Sequence, residues 1–217
     1  MSAAERRRHI LDEIAGAAKL ARRKPADVQL IAVSKTRSVE AIEELIEAGQ
    51  RDFGESRVQE ALDKWPSLLA RNPGIRLHCI GRLQSNKAAE AVKLFDVIHS
   101  LDRQSLLDAL IKEAEKAGRE PAVYVQANIG NEDQKGGCSI ADVGSLVGAV
   151  RNSLLPLAGL MAIPPLDVEP GPFFALLAKL ARDNGVNGLS MGMSADFKPA
   201  VMLGATAVRV GTALFED

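Results

Sequence analysis

Lys35 follows the apolar run Leu30-Ile31-Ala32-Val33 with only Ser34 between, and Ser38, Glu40, Ile42, Leu45 and Ile46 then open a helical pattern that Gly49 closes. Strand, turn and helix in that order put an amine at the carboxyl end of a buried strand, the edge where parallel α/β folds bind ligands. A lysine there has two uses. Its stem can cover the strand end while the ammonium reaches water. Alternatively, burial can disfavour the charged form and leave a nucleophilic nitrogen able to form a Schiff base with an aldehyde.

Two later stretches decide how much chemistry that amine could do. Ser190-Met191-Gly192-Met193-Ser194 ends one apolar segment with small and hydroxyl residues beside a helix start, and Arg209-Val210-Gly211-Thr212 ends the next with a glycine and a hydroxyl. Such loops suit phosphate, because backbone N–H groups and a helix N-terminus can face the anion where glycine lets the backbone approach. Taken singly, Ser194 could simply cap a helix and Gly211 could simply make a turn. Arg209, inside an apolar strand, either points toward a ligand at the strand end or pairs with a core carboxylate. An amine plus a phosphate cradle is what a phosphorylated aldehyde needs, and pyridoxal phosphate is the common biological one.

The elements that must position these residues recur eight times. Strands are expected at 29–35, 52–56, 77–81, 97–101, 122–129, 157–163, 188–193 and 207–212, each but the last followed by a helix. A long helix that Ser2 and Glu5 start as a capping box precedes the first strand. Ser85 and Asp102 are expected to cap the third and fourth of the intervening helices, and Pro66 to interrupt or kink the second. Eight such units predict a (β/α)8 TIM barrel with an extra N-terminal helix; the 217 residues are a little short of the usual ~250 but workable. An open doubly wound sheet is the alternative. No linker or repeat divides the chain, so residues 1–217 are expected to form a single domain.

Composition removes several classes. With 27 basic and 28 acidic residues the formal charge is −1, which gives no reason to invoke nucleic acid; Arg6-Arg7-Arg8 and Arg22-Arg23-Lys24 are expected to lie on a solvated face. Cys79 and Cys138 lie far apart without a Cys-x-x-Cys, as reduced thiols do, and His9, His78 and His99 lack metal-ligand spacing. No leader and no apolar run long enough to span a bilayer is evident, so a cytoplasmic protein without a membrane partner is expected, and a monomer. Gly81-Arg82-Leu83-Gln84-Ser85-Asn86-Lys87 lacks the Gly-Lys-Ser/Thr ending of a nucleotide loop, although Arg82, Asn86 and Lys87 can face a ligand or simply be solvated. Lys135, before Gly136-Gly137, is either a second amine near the mouth or an exposed loop lysine.

With these residues assembled, the chain resembles the pyridoxal phosphate homeostasis protein family, single-domain relatives of the alanine racemase barrel. The resemblance runs from Ile31 to Phe215. It is carried by Ala32-Val33-Ser34-Lys35-Thr36, Phe53-Gly54-Glu55, His78-Cys79-Ile80-Gly81-Arg82-Leu83-Gln84-Ser85-Asn86-Lys87, Gly159-Leu160-Met161-Ala162-Ile163-Pro164, Leu189-Ser190-Met191-Gly192-Met193-Ser194 and Val208-Arg209-Val210-Gly211-Thr212. Ser56 departs from the family's asparagine, and Cys79 stands where an aromatic is common.

The resemblance implies that Lys35 carries pyridoxal phosphate as a Schiff base. It implies that Ser190, Ser194, Gly211 and Thr212 surround the phosphate by side chain or backbone, and that Arg209 faces the pyridine nitrogen. It also implies no robust catalysis, so a carrier is expected that releases the cofactor or transfers it to apoenzymes, with effects on amino-acid and keto-acid balance and with Lys135 as a candidate exchange amine. Alanine racemases take a tyrosine acid/base from a second domain. Here the chain ends at Asp217, and its single tyrosine, Tyr124, falls early in the fifth strand. A minor amino-acid racemase with Lys35 as one base is the alternative, and non-covalent binding of another phosphorylated metabolite is a third reading.

Overall fold

The computed structural model describes residues 1–132 and 134–215. Helix α1 (Ala3–Leu20) starts on Ser2, whose hydroxyl accepts the Glu5 N–H while the Glu5 carboxylate accepts the Ser2 N–H. The alternation that follows is β1 (Gln29–Val33), α2 (Val39–Glu47), β2 (Asp52–Glu55), α3 (Val58–Arg71), β3 (Arg76–Cys79), α4 (Ala88–Leu94), β4 (Val97–Leu101), α5 (Gln104–Ala117), β5 (Ala122–Gln126), α6 (Val143–Arg151), β6 (Leu157–Met161), α7 (Gly171–Asp183), β7 (Leu189–Met193), α8 (Phe197–Met202), β8 (Ala207–Val210) and α9 (Thr212–Phe215). All eight strands pair in parallel, in sequence order, and β8 closes on β1 with Ile31 opposite Arg209 and Ala32 opposite Val210. The fold is therefore the expected (β/α)8 barrel with an extra N-terminal helix, and the open sheet is excluded.

Each helix buries one stripe against the barrel wall. In α2 the buried residues are Ile42, Leu45 and Ile46, each contributing ~1.5–3 kcal/mol by leaving water, and the Ser38 hydroxyl starts the helix by accepting the Ala41 N–H. Helix α1 packs on α2, α8 and α9. Its basic residues are not merely solvated, contrary to expectation. Arg6 Nε donates to the Leu214 carbonyl and Arg7 Nε to Gln50 Oε1, while Arg23, just past the helix, donates to the Val201 carbonyl near the end of α8. Cations there satisfy carbonyls that the last helical turn leaves open.

Three local expectations fail for identifiable reasons. Helix α3 runs through Pro66 unbroken, because Pro66 lies on the exposed side where water can serve the carbonyl its missing N–H would have bonded. Ser85 belongs to a 3-10 turn before α4 and accepts from Arg103 Nη2 instead of capping a helix. Asp102 is drawn to the Arg103 guanidinium rather than to the first turn of α5. In both cases an arginine outcompetes a backbone N–H for the oxygen.

Candidate functional site

The strand carrying Lys35 ends at Val33, two residues sooner than expected, so the Lys35 side chain is exposed and its Nζ meets no hydrogen-bond or ion-pair partner among the described residues. The desolvation that a buried-strand position suggests is absent. What is fixed is the backbone around it. Thr36 adopts φ +61°, unusual for a β-branched residue, and its N–H donates to Glu60 Oε1 at 2.5 Å. Lys64 Nζ donates to the Ser34 carbonyl at 3.0 Å and pairs with Glu55 and Glu60. Glu55, fully buried at the end of β2, accepts on Oε1 from the Ser34 hydroxyl at 2.8 Å and from Trp65 Nε1 at 2.9 Å. Side chains of α3 and β2 thus clamp the residues on both sides of Lys35.

The two candidate phosphate loops meet. Ser194 Oγ accepts the Gly211 N–H at 3.2 Å, joining the loop after β7 to the loop after β8, and the Asp196 carboxylate accepts the Met193 N–H. Ser194 does not cap α8, so the simpler reading of that residue is removed. Gly192 is required twice over: its φ is +92°, and a Cβ there would stand 2.6 Å from the Ala200 Cβ and 2.9 Å from the Phe197 Cα. Thr212, exposed, opens α9. Since β8 lies between β1 and β7, Lys35, Ser194, Gly211 and Thr212 share one barrel edge.

Ser190 and Arg209 lie below that edge. Ser190 is fully buried, and its hydroxyl accepts from Arg209 Nη1 at 2.5 Å; it is turned into the barrel and separated from Ser194, with which sequence reasoning grouped it. Arg209 is 3% exposed and Nη2 donates to the Ala162 carbonyl just past β6, so it neither stands free at the mouth nor pairs with a core carboxylate. Burial brings the guanidinium down to about 10, with Asp196 and Tyr124 acting in the opposite direction, and it stays cationic at neutral pH.

Beneath Ser190 runs a line of buried polar groups. His99 Nδ1 lies 2.8 Å from the Ser190 hydroxyl, His99 Nε2 2.9 Å from His78 Nδ1, and His78 Nε2 3.1 Å from Asp52 Oδ1. Tyr124 stacks on His99 with ring centroids 4.4 Å apart and planes at 18°, so the single tyrosine is buried inside the barrel. Sequence reasoning sought metal-ligand spacing and passed over these histidines. The usable signal was a polar side chain at an inward position of two successive buried strands, which has to find a partner.

The remaining candidates are ordinary by comparison. Lys135 Nζ is engaged by Glu132 at 2.7 Å and by the Pro164 carbonyl at 2.9 Å, so it is neither free nor fully exposed. Arg82 and Asn86 are exposed, and Lys87 pairs with Glu90. Burial pushes the Cys79 thiol up to about 12 and the Cys138 thiol to about 11. Among the described residues no helix is long and apolar enough to cross a membrane.

Comparison with known proteins yields a consistent set of relatives. Residues 11–217 match the family described as alanine racemase, N-terminal domain. The pyridoxal phosphate homeostasis protein of Pseudomonas aeruginosa is 43% identical over 92% of this chain and 88% of its own, and that of Escherichia coli K12 is 38% identical over 95% and 92%. Among solved structures, PipY of Synechococcus elongatus with PLP bound is 40% identical, with a TM-score of 0.80 covering 93% of this chain and 99% of that one. Alanine racemase from Streptomyces coelicolor, 22% identical with a TM-score of 0.71 over 97% of this chain and 58% of that one, shares the barrel. With its closed eight-stranded barrel and this degree of identity over nearly its whole length, the chain belongs to the pyridoxal phosphate homeostasis protein family, built on the alanine racemase N-terminal barrel.

Proposed function

We propose that this chain binds pyridoxal phosphate at the carboxyl edge of β1, β7 and β8, with Lys35 as its Schiff-base partner, and buffers the free cofactor by holding it and passing it to apoenzymes. The observation that carries the reading is the company of Lys35: an unengaged amine beside two loops joined by the Ser194–Gly211 hydrogen bond, with a buried guanidinium just below. Pyridoxal phosphate supplies an aldehyde, a phosphate and a ring nitrogen, and this donor set suits all three. Lys35 takes the aldehyde. Ser194, Gly211 and Thr212 take the phosphate, through hydroxyls and the N–H groups at the start of α9. Arg209 takes the ring nitrogen, and Ser190 serves Arg209 instead of the phosphate.

Arg209 also limits the chemistry. A guanidinium donates and does not accept, so it leaves the ring nitrogen unprotonated and weakens the ring as an electron sink. Tyr124 is buried against His99 and offers no second acid/base at the mouth, which favours a carrier over a racemase. Exchange through Lys135 would first require breaking its pairing with Glu132. The test is transfer of labelled cofactor from the loaded protein to an apoenzyme, followed alongside solvent deuterium entry at Cα of an amino-acid panel. The expected result is transfer faster than spontaneous dissociation with negligible deuterium entry. Transfer no faster than dissociation contradicts the carrier, and rapid deuterium entry makes the protein a racemase.

A further inference from the structure

The interior of a (β/α)8 barrel is ordinarily filled by branched aliphatic side chains. Here five polar groups from five strands form one unbroken line: Arg209 on β8, Ser190 on β7, His99 on β4, His78 on β3 and Asp52 at the start of β2. The line can be given a direction. The Asp52 carboxylate only accepts, so His78 Nε2 must carry a hydrogen toward it. Both rings are neutral at physiological pH. Burial lowers His78 despite the opposing pull of Asp52, and lowers His99 further, with the charges of Arg209 and Arg76 acting the same way. A neutral His78 with its hydrogen on Nε2 accepts on Nδ1, so His99 donates from Nε2 and accepts on Nδ1. Ser190 then donates its one proton to His99 and receives Arg209 on its oxygen. Every donor points toward Asp52.

We infer that Asp52 is a positioning residue of Arg209, acting through His78, His99 and Ser190 to hold and aim the guanidinium beneath the ligand ring. This rests on the reading of Arg209 as the partner of the ring nitrogen. A guanidinium that is 3% exposed is costly without compensation, and among the described residues no carboxylate lies within ion-pair distance of it. The charge of Asp196 favours the guanidinium from a distance, and the hydrogen-bonded line, whose links polarise one another, fixes where it points. Tyr124, stacked on His99, fixes the plane of the middle ring. Asp52 itself is 20% exposed in its side chain and receives a second hydrogen bond from Gln29 Nε2 at 2.7 Å. The other charged groups facing the line are Arg76 and Asp96 at the His78 end and Asp196 at the Arg209 end. In this direction the one Ser190 hydroxyl proton is committed to His99 and not to a phosphate.

Two measurements on the full chain test this. In the cofactor-free protein labelled with 15N-histidine, long-range proton–nitrogen correlation should show His78 and His99 neutral, each protonated on Nε2. Either ring protonated on Nδ1 would overturn the direction, whatever the cofactor does. In the protein loaded with pyridoxal phosphate labelled at the ring nitrogen, Arg209→Lys should move the ring-nitrogen resonance, and Asp52→Asn, which keeps an acceptor for His78 but removes the charge, should move it the same way by a smaller amount. His78→Gln, which alters the link next to Asp52, gives the same comparison if Asp52→Asn does not fold. A shift with Arg209→Lys alone overturns the inference and leaves the ring-nitrogen reading standing. No shift with either removes the ring-nitrogen reading itself.

Discussion

The Glu60 carboxylate accepts the Thr36 N–H at 2.5 Å, and so reaches from helix α3 across to the residue that follows Lys35. Lys64, one turn further along α3, holds the Ser34 carbonyl on the other side. A lysine on a clamped backbone is presented in one place, whereas its own side chain is left unengaged. Orienting a reactive group through its neighbours saves ordering entropy when the ligand arrives.

Glu60→Ala should therefore weaken cofactor retention while leaving the fold intact. It removes the acceptor that helps hold Thr36 at a positive φ, at a site that is only half-buried. An increase in the cofactor dissociation rate of roughly three- to thirty-fold corresponds to ~0.5–2 kcal/mol of lost preorganisation. Stopped-flow release with an apoenzyme trap measures it, and an unchanged rate contradicts the clamp.

The clamp should also fail in acid. Burial alone would raise Glu60, but hydrogen bonds from Lys64 and the Thr36 N–H, with the charges of Lys64 and Arg57, outweigh it and hold the carboxyl below its ordinary 4.5. A depressed carboxyl contributes stability that is fully present above the unfolded-state value and lost as pH falls through the folded one. The contribution should persist down to about pH 4.5 and disappear below it, visible as a pH dependence of the cofactor release rate that Glu60→Gln removes.

His78 and His99 act in a separate window. Both are lowered by burial from the ordinary 6.5, so the unfolded chain binds more protons than the native one just below that value. Stability should fall as pH drops below ~6.5, before the carboxylates titrate. Urea unfolding between pH 7.5 and 5 should show this slope in the wild type and a shallower one in His78→Gln. A flat profile in the wild type would mean that the rings are already charged in the native barrel.

Gly192→Ala should be damaging, because the new methyl meets Ala200 and Phe197 and the backbone is held at φ +92°. Each of these costs about 1–3 kcal/mol, so a loss of roughly 2–6 kcal/mol is expected in urea unfolding. A loss below ~0.5 kcal/mol would show that the loop after β7 can move away freely, and with it the Ser194–Gly211 contact.

Cys79 should be inert to thiol reagents in the native protein at neutral pH, since burial pushes its thiol up to about 12 and only the thiolate reacts. Cys138, at about 11, should react slowly. Both should react fully in urea, and a fast native reaction at Cys79 would contradict its place in the core.

The barrel was legible in the sequence because its signals are local. Runs such as Leu30–Val33 and Ala207–Val210, each followed or preceded by a helix start or stop, mark buried strands one at a time, and eight of them leave few ways to close a sheet. The meeting of Ser194 with Gly211 followed from that closure, since the seventh and eighth strands must be neighbours. The clamp on Lys35 was not legible, because Glu60 and Lys64 read as the solvated face of an amphipathic helix and nothing local says that this face looks onto the first strand's end. Nor was the line beneath Arg209, whose links join residues up to 91 apart in sequence. The partners of the Ser190 hydroxyl were hidden for the same reason, since His99 and Arg209 lie 91 and 19 residues away in sequence.

The most direct measurement is borohydride reduction of the full chain mixed with pyridoxal phosphate, with peptide mapping of the adduct and Lys35→Ala as the comparison. A visible band that disappears on reduction, with the label fixed on Lys35 and absent from the variant, is the predicted result. A label spread over surface lysines such as Lys93 and Lys179, or unchanged in Lys35→Ala, would contradict the assignment of Lys35 and with it the proposed function.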